Sequence, residues 1–203
     1  RINPGLPLGV IDAAVFNLQN IEIGSLINRN RQFVDWLQNG MEVSYLDRGE
    51  EKTALVYLID YQDVDNNCFT VINQWTVAGI DQSRRPDIVV FINGLPLVVV
   101  ELKSGSSEHA DISSAYRQIR NYQKDIPELF VYNAFNIISD HTYSKAGTIT
   151  ANEEWYKEWK TIDGSYEDTR HAAYDVLFKG LLEKSRILDI IKNNFCFKCL
   201  YLW

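Results

Sequence analysis

Apolar and polar positions alternate so as to divide the chain into a helical start, a strand-rich middle and a helical end. Residues 12–20 and 30–38 carry apolar side chains at helical spacing, the second through Phe33, Trp36 and Leu37, and Asn39-Gly40 is a stop signal. Residues 43–46 predict a short strand. The runs 54–61 (ALVYLIDY) and 68–78 (CFTVINQWTVA) are rich in β-branched and aromatic residues and predict strands, with the polar stretch 63–67 as the turn between them. Residues 88–92 and 97–102 are apolar on both faces, the pattern of central strands covered on both sides. Asn93-Gly94 between them is a hairpin signal. After a break at 104–107, Asp111 or Ser113 caps a helix predicted to reach about Lys124 and to be ended by Pro127. Residues 129–139 predict another buried strand, and 142–150 a strand or hairpin arm. The segment EEWYKEWKTIDG is amphipathic, and 168–194 shows helical periodicity through Val176, Leu177, Leu181, Leu182, Ile187, Leu188 and Ile191. The predicted class is α/β: a mixed central β-sheet flanked by helices over residues 1–160, then a C-terminal helical extension over 161–203.

Composition changes this picture little. The 203 residues are 46% apolar and 23% charged, ordinary for a globular protein. No stretch approaches the ~18 apolar residues of a membrane span, so no membrane association is expected. Three cysteines are an odd number and argue against a disulfide framework, which favours a reducing cytoplasm. Cys196 and Cys199 form one C-x-x-C with no second pair, a weak zinc signal. Residues 195–203 are almost wholly apolar, which implies either a longer polypeptide or a surface packed on them. The net charge of −7 counts against a general nucleic-acid coat. It is compatible with a metal-dependent nuclease, whose centre is acidic. Basic groups are local: Arg29 and Arg31, Arg84 and Arg85, and Arg117, Arg120 and Lys124.

The chemistry concentrates between Gln74 and Tyr122. Asp87 opens one apolar run, and Glu101 and Lys103 close the next. Hard carboxylate oxygens suit Mg²⁺, which activates water and polarises a phosphoryl oxygen. A lysine beside them orients or deprotonates that water, or stabilises the anionic transition state. Asp87 and Glu101 are thus candidate metal ligands, and Asp87, Glu101 and Lys103 candidate catalytic residues. Glu101 and Lys103, two apart on a strand, share a face. A strict two-residue Asn93-Gly94 turn would place Asp87 opposite Val100, on the other face. A bulge or a longer loop is therefore expected in or beside this hairpin. Gln118 and Tyr122, four apart on the predicted helix, also share a face, the pattern equally of a core tyrosine and a helix-surface amide. The stripe Arg117, Arg120 and Lys124 is read as a solvated face in preference to a DNA contact. The sequence has no phosphate-binding G-x-x-x-x-G-K-[ST] loop and no G-x-S-x-G elbow, and His109, His141 and His171 lack metal-like spacing.

With those residues in view, the chain resembles the N-terminal nuclease region of the R subunit of type I restriction–modification enzymes, within the PD-(D/E)xK nuclease superfamily. The resemblance runs through INPGLPLG, NRNRQFVDWLQNGMEVSY, LIDYQDVDNNCFTVINQWTV, RRPDIVVFINGLPLVVVELKS, AYRQIRNYQKDIPELFVYNAFNIISD, WKTIDG and LFKGLLEKSRILDII. It implies a restriction-endonuclease-like core, with Asp87 and Glu101 as metal-binding acids, Lys103 as catalytic lysine, and Gln118 and Tyr122 as a Q-x-x-x-Y motif that binds DNA or supports the site. It implies cleavage of foreign unmethylated double-stranded DNA with Mg²⁺ after ATP-driven translocation. ATP would serve the full-length subunit and would not bind this chain. The implied partners are methyltransferase and specificity subunits and C-terminal motor domains, in the cytoplasm. Some family members carry an acidic residue upstream of INPGL, which is lacking here. The alternatives are a repair nuclease or resolvase on the same fold, or a non-catalytic docking module.

Overall fold

A computed structural model describes residues 2–21, 24–103, 111–140, 142–165, 173–196 and 199–200, without the side chains of 194–200. His109, His141, His171 and the predicted break at 104–107 lie outside the described residues, as do the side chains of Cys196 and Cys199.

Two helices lead. α1 (Leu8–Gln19) starts four residues earlier than its polar–apolar pattern indicates, because LGVI continues the turn. α2 (Leu26–Asn39) begins at Ser25, whose hydroxyl accepts the Asn28 amide. It ends at Gly40, whose φ of 87° is left-handed backbone that glycine adopts freely. β1 (Met41–Asp47) and β2 (Glu50–Val56) form a hairpin against α1, with Val10, Ala14, Met41, Val43 and Val56 as a small core of their own.

The predicted strand over 54–61 thus stops at Val56. Beyond it the backbone folds around Asp60, whose carboxylate accepts the amides of Gln62 and Asp63 and the side-chain amide of Asn66. The predicted strand over 68–78 breaks too. It gives β3 (Phe69–Asn73) and, after Gln74 at φ 53°, the two-residue β4 (Val77–Ala78), paired with β5 (Ser83–Arg84).

β6 (Ile88–Ile92) and β7 (Leu95–Leu102) are the central hairpin. Asn93 and Gly94 both have positive φ, 53° and 82°, as a type I′ turn requires. α3 (Ile112–Asp125) is capped by Asp111, which accepts the Ser114 amide. The predicted strand over 129–139 is wrong in its first part. Pro127–Val131 is the short helix α4, with proline at its first turn, and only Phe135–Ser139 is strand β8. The buried Asn30 side chain donates to the carbonyls of Phe130, Val131 and Asn133 and fixes the end of α4. β9 (Ser144–Gly147) and β10 (Lys157–Glu158) follow, then α5 (Ala173–Leu181) and α6 (Lys184–Asp189), and a wide helical turn at Ile190–Asn194. Phe195–Cys196 (β11) and Cys199–Leu200 (β12) pair with each other.

The main sheet has the order β10-β9-β8-β7-β6-β3. β7 and β8 run parallel, joined by the segment that carries α3, and the other described pairs are antiparallel. The sheet is mixed and has helices on both faces. Val98, Val100, Val90 and Ile137 face a large cluster with α2, α5 and α6. Val99 and Ile138 face α3 through Ala115, Ile119 and Tyr122. Glu101 follows Val99 at a spacing of two and therefore lies on the α3 face.

Candidate active site

The parity problem posed by Asn93-Gly94 is solved inside the hairpin. Ile92 pairs with Leu95 and Phe91 with Pro96, as a two-residue turn dictates. The register then shifts between Val90 and Phe91, so that Val90 pairs with Val98 and Ile88 with Val100. Leu97 is the extra residue of this bulge, and it is fully buried. Continued by one step, the shifted register sets Asp87 opposite Glu101. The bulge moves Asp87 onto the α3 face.

Three contacts place the Asp87 carboxylate. Its Oδ2 accepts the Leu102 amide at 2.9 Å, which ties it across the ends of both strands. Its Oδ1 accepts the Gln74 side-chain amide at 2.7 Å, and its main-chain carbonyl accepts the Gln74 amide. The positive φ of Gln74 turns it toward Asp87 in this double contact. Sequence reasoning missed Gln74, because it lies in a run whose β-branched and aromatic residues read as one strand. The polar pair Asn73-Gln74 inside that run was the available signal.

Glu101 is 3% exposed, an unusual position for a carboxylate. Its Oε1 accepts Lys103 Nζ at 2.6 Å, and its Oε2 accepts the Tyr122 hydroxyl at 3.0 Å. Burial pushes its carboxyl above the ordinary value. The Lys103 ammonium opposes that rise, and the nearby Asp87 carboxylate adds to it. Lys103 is anchored through its amide on the Ser139 carbonyl and retains partial exposure. Burial likewise raises the Tyr122 phenol, and the Glu101 charge reinforces the effect. Gln118 completes the line by hydrogen bonding to the Tyr122 hydroxyl. One polar chain thus runs from Gln118 through Tyr122 and Glu101 to Lys103, with Asp87 beside it.

Among the described residues no three His, Cys, Asp or Glu side chains gather as a metal cluster. Asp87 and Glu101 are a two-carboxylate set. That set fits Mg²⁺, which is held by one or two carboxylates while it keeps several waters. It does not suit a cation that demands a full protein cage.

The other basic groups divide by partner. Arg29 forks onto Glu128 at 2.7 and 2.8 Å and joins α2 to α4. Arg84 pairs with Asp125 and joins β5 to the end of α3. Gly79 packs so close to the Asp125 carbonyl that a Cβ would lie 2.0 Å from it. These ion pairs hold the frame of the site. Arg117, Arg120 and Lys124 lie on the exposed side of α3 instead. With Lys103, Ser114, Gln118 and Asn121 they line an open groove of about 510 Å³.

Comparison with known proteins places this arrangement in a family. Residues 1–155 match the model of the type I restriction enzyme R protein N terminus (HSDR_N). The chain is 37% identical over 196 residues to the type I restriction enzyme HindI endonuclease subunit of Haemophilus influenzae, covering 95% of this chain and 19% of that protein. It is 28% identical over 213 residues to the putative type I restriction enzyme MjaIXP endonuclease subunit of Methanocaldococcus jannaschii, covering 95% of this chain and 20% of that protein. A second protein of that archaeon, the putative MjaVIIIP endonuclease subunit, is 30% identical over 175 residues, with 84% of this chain and 16% of that protein covered. The chain therefore spans about a fifth of the length of these relatives. The chain, matched over residues 1–155, belongs to the family of type I restriction enzyme R protein N termini.

Proposed function

We propose that this chain is the Mg²⁺-dependent DNA-cleaving domain of a type I restriction subunit. The observation that carries this reading is the bulge-driven meeting of Asp87, Glu101 and Lys103 at the ends of two buried strands. A strand-end carboxylate that is 3% exposed is costly unless paired or put to use. The relatives' names as endonuclease subunits support the same reading.

Asp87 and Glu101 would hold the metal. When bound, Mg²⁺ supplies an acidified water and charge neutralisation at the phosphate. Gln74 and the Leu102 amide orient Asp87 by donating to its two carboxylate oxygens. Tyr122 and Lys103 hold the two oxygens of Glu101 from opposite sides. Lys103 is the partly exposed member and stands where a scissile phosphate would enter. There it orients the attacking water or meets the charge that develops on the phosphoryl oxygens. The substrate is double-stranded DNA, foreign and unmethylated. Translocation by an ATP-dependent motor in the remainder of the subunit delivers it, with methyltransferase and specificity subunits as partners in the cytoplasm.

The test is cleavage of an unmethylated target plasmid by the assembled enzyme carrying Lys103→Ala. The expected loss is about 10²–10⁴-fold, the usual contribution of one general acid–base group. Cleavage at the parent rate would remove Lys103 from the mechanism.

A further inference from the structure

The groove along α3 is lined by four cations (Lys103, Arg117, Arg120 and Lys124) and three neutral polar side chains (Ser114, Gln118 and Asn121). Among the described residues no carboxylate lines it. In a chain of net charge −7, with 27 acids against 20 bases, an acid-free surface of this kind is not what average composition would give. Lys103 is paired with Glu101 at the site end of the groove, and on α3 itself Arg117 has Asp111 at 3.9 Å, with both side chains about two-thirds exposed. So exposed a pair leaves the guanidinium available to another anion. Arg120 is anchored through one nitrogen on the Ile149 carbonyl and on Gln123. Among the described residues no partner of this sort holds Lys124.

The groove also has a direction. From Ser114 to Lys124 the helix rises about 15 Å, at ~1.5 Å per residue. That matches roughly four phosphate steps of one DNA strand at ~3.4 Å each. Lys103 and Gln118 lie at once in this groove and in the carboxylate network. Exposed cations and neutral donors without acids suit a sugar–phosphate backbone and carry no base information.

We infer that this face of α3 is a phosphate track that seats one strand of duplex DNA, with Arg117 and Lys124 as contacts, and leads it to Lys103. The inference rests on the nuclease reading and adds the path of the substrate. It replaces the reading of the Arg117, Arg120 and Lys124 stripe as a merely solvated face. Arg117 and Lys124 are binding residues in this account and take no part in bond cleavage.

The experiment measures binding of a fluorescein-labelled 20-base-pair duplex to the purified chain by anisotropy, across a salt series from low ionic strength, with Ca²⁺ in place of Mg²⁺. The double variant Arg117→Gln/Lys124→Gln is compared with Arg48→Asn, which removes a charge at the distant β1–β2 turn and keeps a residue that accepts its positive φ. Mn²⁺ binding is titrated in parallel by calorimetry. The double variant should bind DNA about tenfold more weakly and lower the slope of log K against log salt by about 1.8, two contacts at ~0.9 each. Arg48→Asn should change neither, and Mn²⁺ affinity should be the same in all three proteins. Unchanged affinity and slope in the double variant would overturn the track, as would a parent chain that binds no duplex at low salt. If Mn²⁺ fails to bind while the double variant still loses DNA, the track stands and the metal reading falls.

Discussion

Glu101 shows how a single residue trades stability for chemistry. Its folded-state carboxyl is raised, chiefly by burial. A raised acid stabilises the fold below its unfolded pKa of ~4.3 and loses that contribution as pH rises through its folded value. In the metal-free chain at neutral pH, ionised Glu101 is therefore a liability. Glu101→Gln keeps the shape, still accepts from Lys103, and removes the charge. The expected result in a calorimetric melt is a higher Tm at pH 7–8, a gain that disappears near pH 4, and lost Mn²⁺ binding. A lower Tm at pH 7–8 would mean that the Lys103 pair outweighs desolvation. Tyr122→Phe removes one bond to the same carboxylate and should cost on the order of 1 kcal/mol. Denaturant unfolding measures it. Asp87, Glu101 and Lys103 were legible in the sequence because charge at the ends of very apolar runs stands out. Gln74 was not, since its role depends on a backbone turn at φ 53° that only the polar pair Asn73-Gln74 marks within a strand-like run.

At the scale of elements, two asparagines fix geometry that hydrophobic patterning leaves open. Asn93 combines a φ of 53° with side-chain bonds to the Cys68 amide, the Leu58 carbonyl and the Asn67 side chain. Asn93→Gly keeps the turn and loses those bonds, whereas Asn93→Ala loses both. The alanine variant should be the less stable of the two, by about 1 kcal/mol, the cost of αL backbone in a residue with a Cβ. Equal stabilities in urea unfolding would assign everything to the hydrogen bonds. Asn30→Ala removes an amide that donates to three buried carbonyls and should cost about 2–3 kcal/mol, or roughly 4–12 °C in Tm for a chain of this size. The hairpin itself was legible down to its irregularity. A two-residue Asn-Gly turn and a shared face for Asp87 and Glu101 are incompatible without one extra residue, and Leu97 is that residue. The helix α4 was not legible, because LFVY at 129–132 continues into the apolar run of β8. Pro127 and the distant Asn30 override that local pattern.

The two faces of the sheet differ, one covered by an apolar cluster and the other carrying the candidate site. α2, α5 and α6 cover one side of the sheet with Phe33, Leu37, Leu177, Leu181, Ile187 and Ile191. α3 covers the other, and the carboxylates, the lysine and the cationic groove all lie along it. The α/β class and the flanking helices could be read from runs apolar on both faces. The parallel pairing of β7 with β8 is what brings Ser139 beside Lys103, and a contact across 36 residues leaves no local trace in sequence. Net charge spoke only against a general nucleic-acid coat, because it averages over a surface on which the groove along α3 is lined by four cations.

The account depends on Asp87 and Glu101 sharing one cation. A crystal of the chain soaked in Mn²⁺, with anomalous difference density recorded at the manganese edge, tests this directly. The account predicts one peak between the two carboxylates on the α3 side of the sheet, absent in Asp87→Asn. Full Mn²⁺ occupancy elsewhere, with those carboxylates still held only by Gln74, Lys103 and Tyr122, would contradict it.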